Sequence, residues 1–351
     1  MRKIILEGSP YEIGFKFGLE AKHCITAFIQ GICNTMKLSL TEAEIYEGEK
    51  KIEVFDKLLR KKYPEIASEI EGIAAGSGIS YEETLWYNSY EELFFNELTA
   101  SYRCSNISFL LSDDGPLLGK TNDIMFYRLS HYRMMRIKPV NGYDLMQIGA
   151  LGTYMTNAGI NSAGLAYGGA GLFTKGENSD GVPHTFLQRL VLQNCENVKE
   201  AIIYIKECNL MRVGMHMSLI DAKGDGVIIG KMPEGMYIKY PNSDGTMFCS
   251  NHILDESYAD VAEDFPILIP NSVNRYENLG QLAVHPHKNI AYMKEILRNH
   301  NEPGAICQHG QGGGLYTVLA YIIQVNKKRF FLSEGYPCIN EFQSFDFDHF
   351  S

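Results

Sequence analysis

Cys104 opens the run Cys104-Ser105-Asn106-Ile107-Ser108-Phe109-Leu110-Leu111, which Ser112-Asp113-Asp114-Gly115 joins to Pro116-Leu117-Leu118-Gly119-Lys120-Thr121-Asn122-Asp123. Asp-Gly between apolar runs is a strong hairpin signal. With a two-residue turn at Asp113-Asp114, Cys104 faces Asp123. With the turn at Asp114-Gly115, Asp123 faces Asn106, diagonal to Cys104. Either register brings a carboxylate close to a thiol.

A thiol with an ordinary pKa near ~8.5 is mostly protonated at neutral pH and needs a base before it can attack a carbonyl. Breaking the Arg103–Cys104 peptide bond would supply one. The new α-amino group, with a pKa of roughly 7.7–8.0, lies on the nucleophilic residue itself, and Asp123 could hold or polarise its ammonium form. The same residue types also have plainer uses, a cysteine as a small buried hydrophobe and an aspartate as a solvated strand end.

Other constellations are weaker. Cys307-Gln308-His309 with His285-Pro286-His287 or His300 suggests a metal site, yet these spacings match no tetrahedral signature and no H-E-x-x-H helix is present. Neither a metal nor an organic cofactor is expected. Gly310 to Gly314 lacks the Lys-Ser/Thr of a phosphate loop, and Gly168-Gly169-Ala170-Gly171 lacks dinucleotide spacing, so both read as close packing or turns. A papain-like pairing of Cys104 with a later histidine conflicts with a cysteine at the head of a strand rather than of a helix. Met125, Phe126, Tyr127, Met134, Met135 and Met146 could line an acyl pocket or simply fill the core.

The elements that must position Cys104 differ on its two sides. Before it, helices are expected from Ser9-Pro10-Tyr11-Glu12, a capping box with proline in the first turn, through Ile32, then over 42–62, 64–75 and 81–93. After it come short strands near 107–111, 117–123, 145–150, 164–168, 215–221, 227–231, 315–325 and 330–332, with helices near 184–195, 198–208, 272–282 and 289–299. Strands bracketing helices suit layered sheets with helices outside. No linker or repeat divides the 351 residues, so residues 1–351 are expected to form one compact unit. A net charge of −10 with only short, isolated basic runs argues against a nucleic-acid partner. No apolar run is long enough to span a membrane, and Met1 to Glu7 is too short for a signal peptide. Eight cysteines without paired spacing fit a reducing, cytoplasmic setting.

Several fragments, in order, resemble the penicillin acyltransferase family, the acyl-coenzyme A:6-aminopenicillanic acid acyltransferases, which are relatives of bile-salt hydrolases. They are Gly8-Ser9-Pro10-Tyr11-Glu12-Ile13-Gly14, Tyr63-Pro64-Glu65, Glu69-Ile70-Glu71-Gly72-Ile73-Ala74, Cys104 with Gly119-Lys120-Thr121-Asn122-Asp123, Gly159-Ile160-Asn161-Ser162-Ala163-Gly164-Leu165, Phe186-Leu187-Gln188-Arg189-Leu190-Val191-Leu192, and Asn251-His252. The resemblance implies an α+β fold, a four-layer αββα sandwich of the N-terminal-nucleophile (Ntn) type. It implies cleavage between Arg103 and Cys104, into a helical segment 1–103 that stays bound and a catalytic sandwich 104–351. Cys104 would be nucleophile and, through its amine, base; Asp123 would orient the amine, and Asn251 would contribute to an oxyanion hole. The partner implied is a small-molecule amide or acyl thioester, and the alternative is an uncleaved, inactive scaffold. Arg103 departs from the small residue expected before the nucleophile. The family also places an arginine beside the nucleophile; residues 306–315 contain none, and Arg275 in Ser272-Val273-Asn274-Arg275-Tyr276 reads as structural or substrate-facing.

Overall fold

The computed structural model describes residues 1–39, 42–93, 102–310 and 314–350. A strand, β1 (Lys3–Gly8), precedes four helices, α1 (Pro10–Ser39), α2 (Glu42–Lys62), α3 (Pro64–Ser77) and α4 (Tyr81–Leu93). Then follow β2 (Tyr102–Phe109), β3 (Leu117–Ile124), β4 (Tyr132–Pro139), β5 (Leu145–Ala150), β6 (Ala158–Asn161), β7 (Ala166–Leu172), α5 (His184–Asn194), α6 (Val198–Glu207), β8 (Gly214–Ile220), β9 (Gly226–Met232), β10 (Gly235–Lys239) and β11 (Thr246–Cys249). The chain closes with α7 (Leu268–Leu282), α8 (Ile290–Arg298), β12 (Tyr316–Gln324), β13 (Arg329–Glu334) and β14 (Gln343–Asp346). No helix among the described residues is long and apolar enough to cross a membrane.

Two sheets form. One has eight strands in the order β1-β4-β5-β6-β7-β8-β9-β10, the other six in the order β11-β2-β3-β12-β13-β14. Alternation along each strand sends every second side chain to the opposite face, and the apolar residues sort accordingly. Leu118, Ile148, Ile160, Ile220, Ile228, Tyr321 and Ile323 meet between the sheets. Leu6, Ile13, Phe17, Ile137, Leu187 and Val191 close the outer face of the larger sheet under α1 and α5. Ile107, Phe109, Ala320 and Ile322 pack under α7 and α8, with Leu279, Met293 and Ile296. Helix, sheet, sheet, helix is the four-layer αββα sandwich. Gly168 permits the sheets to approach near Cys104, since a Cβ there would meet Leu118 at 2.7 Å and Asn106 at 3.1 Å.

The segment before Cys104 is not purely helical. β1 pairs in parallel with β4 along Lys3↔Met134 to Gly8↔Pro139, giving the larger sheet one of its edges. α1 then crosses α3 at backbone contact: a Cβ on Gly14 would lie 1.9 Å from Glu69 O, and one on Gly72 would lie 2.2 Å from Tyr11 O. α4 is tied to the sandwich by Glu92, whose buried carboxylate accepts from the His184, Arg212 and Val213 backbone N–H groups and pairs with His184 Nδ1 at 2.7 Å.

The hairpin differs from either expected register. The ladder pairs Cys104 with Asn122 and Arg103 with Asp123, and it ends at Phe109↔Leu117. Residues 110–116 form a wider connection because their backbone finds other partners. Leu110 N donates to Gly245 O, Val325 N donates to Pro116 O, and the Asp-Gly turn closes locally through Gly115 N to Ser112 O. The strand β2 also begins at Tyr102, so the Arg103–Cys104 bond lies inside it.

Candidate active site

Strand alternation divides the residues around Cys104 between two faces. Cys104, Asn122 and Lys120 line a cleft on one side, whereas Arg103, Ser105, Thr121 and Asp123 occupy the other. The cleft, about 940 Å³ including its open mouth, is walled by β2, β3 and β7 together with Tyr87, Asn88 and Glu92 of α4. Cys104 is 4% exposed. Its Sγ lies 3.8 Å from Asn122 Oδ1. Burial pushes the thiol's pKa up, offset in part by Lys120 and Arg275. Lys120, itself pushed down by burial, donates to Asn157 Oδ1 at 2.8 Å. The Asn122 Nδ2 has no hydrogen-bond partner among the described residues.

The Cys104 backbone N–H donates to Asn251 Oδ1 at 2.8 Å. β11 explains how that side chain arrives. Its pairing with β2 runs from Thr246↔Phe109 to Cys249↔Asn106, a register that would place residue 251 opposite residue 104. The strand stops at Cys249, and the amide of Asn251 takes the place of the next backbone acceptor. Arg275 Nη2 donates to the same Oδ1 at 3.0 Å, so two donors fix which end of the amide is oxygen. Asn251 Nδ2 donates to Gly171 O at 3.0 Å, which uses one of its two hydrogens. The side chain thus holds the Cys104 nitrogen with its oxygen, while one amide hydrogen stays available for the oxyanion role expected from the sequence.

Arg275 stands beside Cys104. It projects from α7, fully buried, and its Nη1 donates to Cys104 O and to Ser105 Oγ. Burial lowers its pKa to about 10, and Asp123 opposes that shift. Asp123 is likewise fully buried, accepting from Thr317 Oγ1 at 2.5 Å and Thr121 Oγ1 at 3.3 Å. Desolvation raises its carboxyl to about 6, against the pull of Arg275, the two threonines and Arg103. Arg103 is 3% exposed and stands across the ladder from Asp123.

The methionine cluster is core: Met134 and Met146 lie between the sheets and Met135 under the helices. Met125 is 38% exposed. The Phe126 and Tyr127 side chains lie outside the described residues, as do Gln311 to Gly313 of the glycine run. Gly168 to Gly171 belong to β7. Remote from the cleft, His300, His309 and Cys338 present ligand atoms within 4.8 Å of one another.

Two sheets between helical layers, with a cysteine near the head of an inner strand and its backbone nitrogen held by a side chain, define a protein of the Ntn-hydrolase class. The family model described as acyl-coenzyme A:6-aminopenicillanic acid acyl-transferase matches residues 110–335. The chain belongs to that family. The match begins downstream of Cys104 and includes Lys120, Asp123, Asn251 and Arg275. An Emericella nidulans protein named acyl-coenzyme A:6-aminopenicillanic-acid-acyltransferase 40 kDa form is 24% identical over 198 residues, 55% of this chain and 54% of that protein. The match thus spans about half the length of that relative. Among solved structures, a mutant conjugated bile acid hydrolase from Clostridium perfringens aligns at a TM-score of 0.49 and 11% identity, covering 70% of this chain and 92% of that one. Penicillin V acylase from Agrobacterium tumefaciens aligns at 0.48 and 17% identity, covering 70% and 87%.

Proposed function

We propose that the chain cuts itself before Cys104 and then uses Cys104 to take an acyl group from a small-molecule amide or thioester, passing it to water or to an amine. The observation that carries this reading is the grip of Asn251 Oδ1 on the Cys104 nitrogen. That contact serves a peptide N–H in the intact chain and would serve equally an α-amine after cleavage, because neither Asn251 nor Arg275 belongs to the departing segment. In the cutting step the Cys104 thiol adds to the Arg103 carbonyl, the C–N bond breaks as the nitrogen takes up a proton, and water hydrolyses the resulting thioester.

Arg103, which departs from the small residue expected before the nucleophile, gains a use in this scheme. Its guanidinium supplies positive charge beside buried Asp123 in the precursor. Cleavage frees the Arg103 end of the bound segment to move and creates an ammonium one residue away that can take its place beside Asp123. In each later turnover the amine accepts the thiol proton, Sγ bonds to the acyl carbon, and the leaving amine or thiol departs with that proton. The Asn122 Nδ2 and the second N–H of Asn251 are the nearby amide donors suited to the developing oxyanion, a contribution of roughly 3–4 kcal/mol for one well-placed donor. The apolar and polar walls of the cleft suit a small acyl donor; the balance between hydrolysis and transfer depends on whether water or an amine is better held there.

Intact mass of the purified protein beside its Cys104→Ala variant tests the reading. Two fragments meeting between Arg103 and Cys104 in the wild type, with one full-length chain in the variant, are expected. An uncut wild-type chain whose Cys104 reacts no faster than its other thiols would instead establish the inactive scaffold. Amides and thioesters supplied with and without an amine acceptor then separate hydrolysis from transfer.

A further inference from the structure

We propose that Cys307, His309, Cys338 and His300 form a structural zinc site on the face of the sandwich away from the cleft. Cys307 Sγ and Cys338 Sγ stand 3.8 Å apart, and each lies 3.4 Å from His309 Nε2. His300 joins through a ligand atom within 4.8 Å of those of His309 and Cys338; Cys307 is outside that group, so His300 would swing in toward it as the ion binds. A tetrahedral zinc with Zn–S near ~2.3 Å and Zn–N near ~2.05 Å requires S···S of about 3.8 Å and S···N of about 3.6 Å. The two thiols and the imidazole already stand at those separations. Two sulfurs with two imidazoles is also the donor set that selects zinc over harder cations.

The surroundings orient the ligands as metal sites require. His300 Nδ1 lies 3.0 Å from Arg298 O; as donor to that carbonyl it leaves Nε2 with its lone pair for the metal. His309 presents Nε2 to both sulfurs while its ring stacks on Tyr336 at 4.2 Å, two residues before Cys338. Sequence spacing conceals the set, since Cys338 follows β13 and His300 follows α8. His285 and His287, the other histidines considered from sequence, are elsewhere, with His285 stacked on Tyr292 at 4.0 Å.

Such an ion would join three pieces of chain: the end of α8, the approach to β12 and the segment after β13. It would also lie beside the catalytic relay. Gln308, between two of the ligands, donates its backbone N–H to Thr317 Oγ1 at 2.8 Å, and Thr317 Oγ1 donates to Asp123 Oδ1. A zinc clip there holds the segment that holds Thr317.

The test is elemental analysis of full-length protein purified without chelator or metal-affinity resin, followed by titration of chelator-treated protein with zinc chloride against a chromogenic indicator. About one zinc per chain is expected, falling at least about tenfold in Cys338→Ser. His300→Ala, at an exposed position, covers the event that Cys338→Ser does not fold, and should weaken zinc binding about tenfold or more. Cobalt(II) in place of zinc should show the ligand-field absorption of a tetrahedral thiolate site. The proposal is overturned by protein that neither carries zinc nor takes it up, by a Cys307–Cys338 disulfide in the peptide map, by a different metal on these residues, or by zinc that survives both substitutions undiminished.

Discussion

As proposed, Cys104 and the Cys307–Cys338 pair would put sulfur to opposite uses. Around Cys104 the neighbours are amides and cations: Asn122, Lys120, Asn251 and Arg275. Around Cys307 and Cys338 they are a second sulfur and an imidazole. A nucleophile must keep its lone pair for an incoming carbonyl and needs a base that switches on late, so it is set among groups that hold charge without binding sulfur. Metal ligands must converge on one point and surrender their lone pairs to it. Cys104 and Cys307, both buried, are thus told apart by what surrounds them.

Substitutions can break that contrast. The largest effect is expected from Cys104→Ala, which should abolish self-cleavage and reduce acyl transfer on the order of 10⁴-fold or more, as intact mass and turnover would report. Zinc content should be unchanged in the same protein. Next, Arg275→Leu withdraws the buried donor from Cys104 O, Ser105 Oγ and Asn251 Oδ1 and the cation from Asp123. A loss of about 3–5 kcal/mol in chemical denaturation, together with an uncut chain, is expected.

Asp123 permits a finer test, made in the uncut Cys104→Ala background. Its carboxyl titrates at about 6 when folded against an ordinary 3.8, so the folded chain holds this proton more tightly than the unfolded one. Stability from that proton is complete below about pH 4 and is lost as pH rises through 6. The cost at neutral pH approaches about 3 kcal/mol. Asp123→Asn lacks this titration; relative to its parent it should gain stability between pH 4 and 7, as urea unfolding at both ends of the window would show. Equal slopes in the two proteins would refute the assignment. The smallest effect is expected from Lys120→Met, which removes the cation that most lowers the Cys104 thiol. With that cation gone the thiol's pKa should rise further, so alkylation of Cys104 at pH 8 should slow severalfold while Cys338 labels as before.

Much of this was legible in the residues. The capping box at Ser9 and Glu12 forms as expected, with Ser9 N donating to Glu12 Oε2 at 2.8 Å. Most of the helices and central strands fall near their expected places because long periodic runs carry their own evidence. Short or charged strands do not. β1 reads as a basic flank, β4 interrupts its apolar residues with Arg133, Arg136 and Lys138, and β11 spans only Thr246–Cys249. At the site, Cys104 and Asp123 announced themselves by a strong turn signal, yet the register followed backbone partners at Gly245 and Val325 that no local rule contains. Arg275 was singled out as structural or substrate-facing but not placed beside Cys104, because one arginine on an amphipathic helix resembles a surface residue until tertiary packing buries it. Cys338 was invisible for the same reason, its partners being distant in the chain.

If the chain is cut as proposed, the edge strand β1 and the buried Glu92 carboxylate gain a thermodynamic consequence. Parallel strands such as β1 and β4 need a long covalent crossover to be brought together, and here that crossover runs through the Arg103–Cys104 bond. Once the bond is broken, residues 1–103 become a ligand for the rest, held by the β1–β4 ladder and the Glu92 contacts. Unfolding would then release two molecules, making the midpoint rise with protein concentration and refolding bimolecular. The zymogen, still one chain, would refold independently of concentration, so the mature enzyme's lifetime would rest on how slowly its two pieces part.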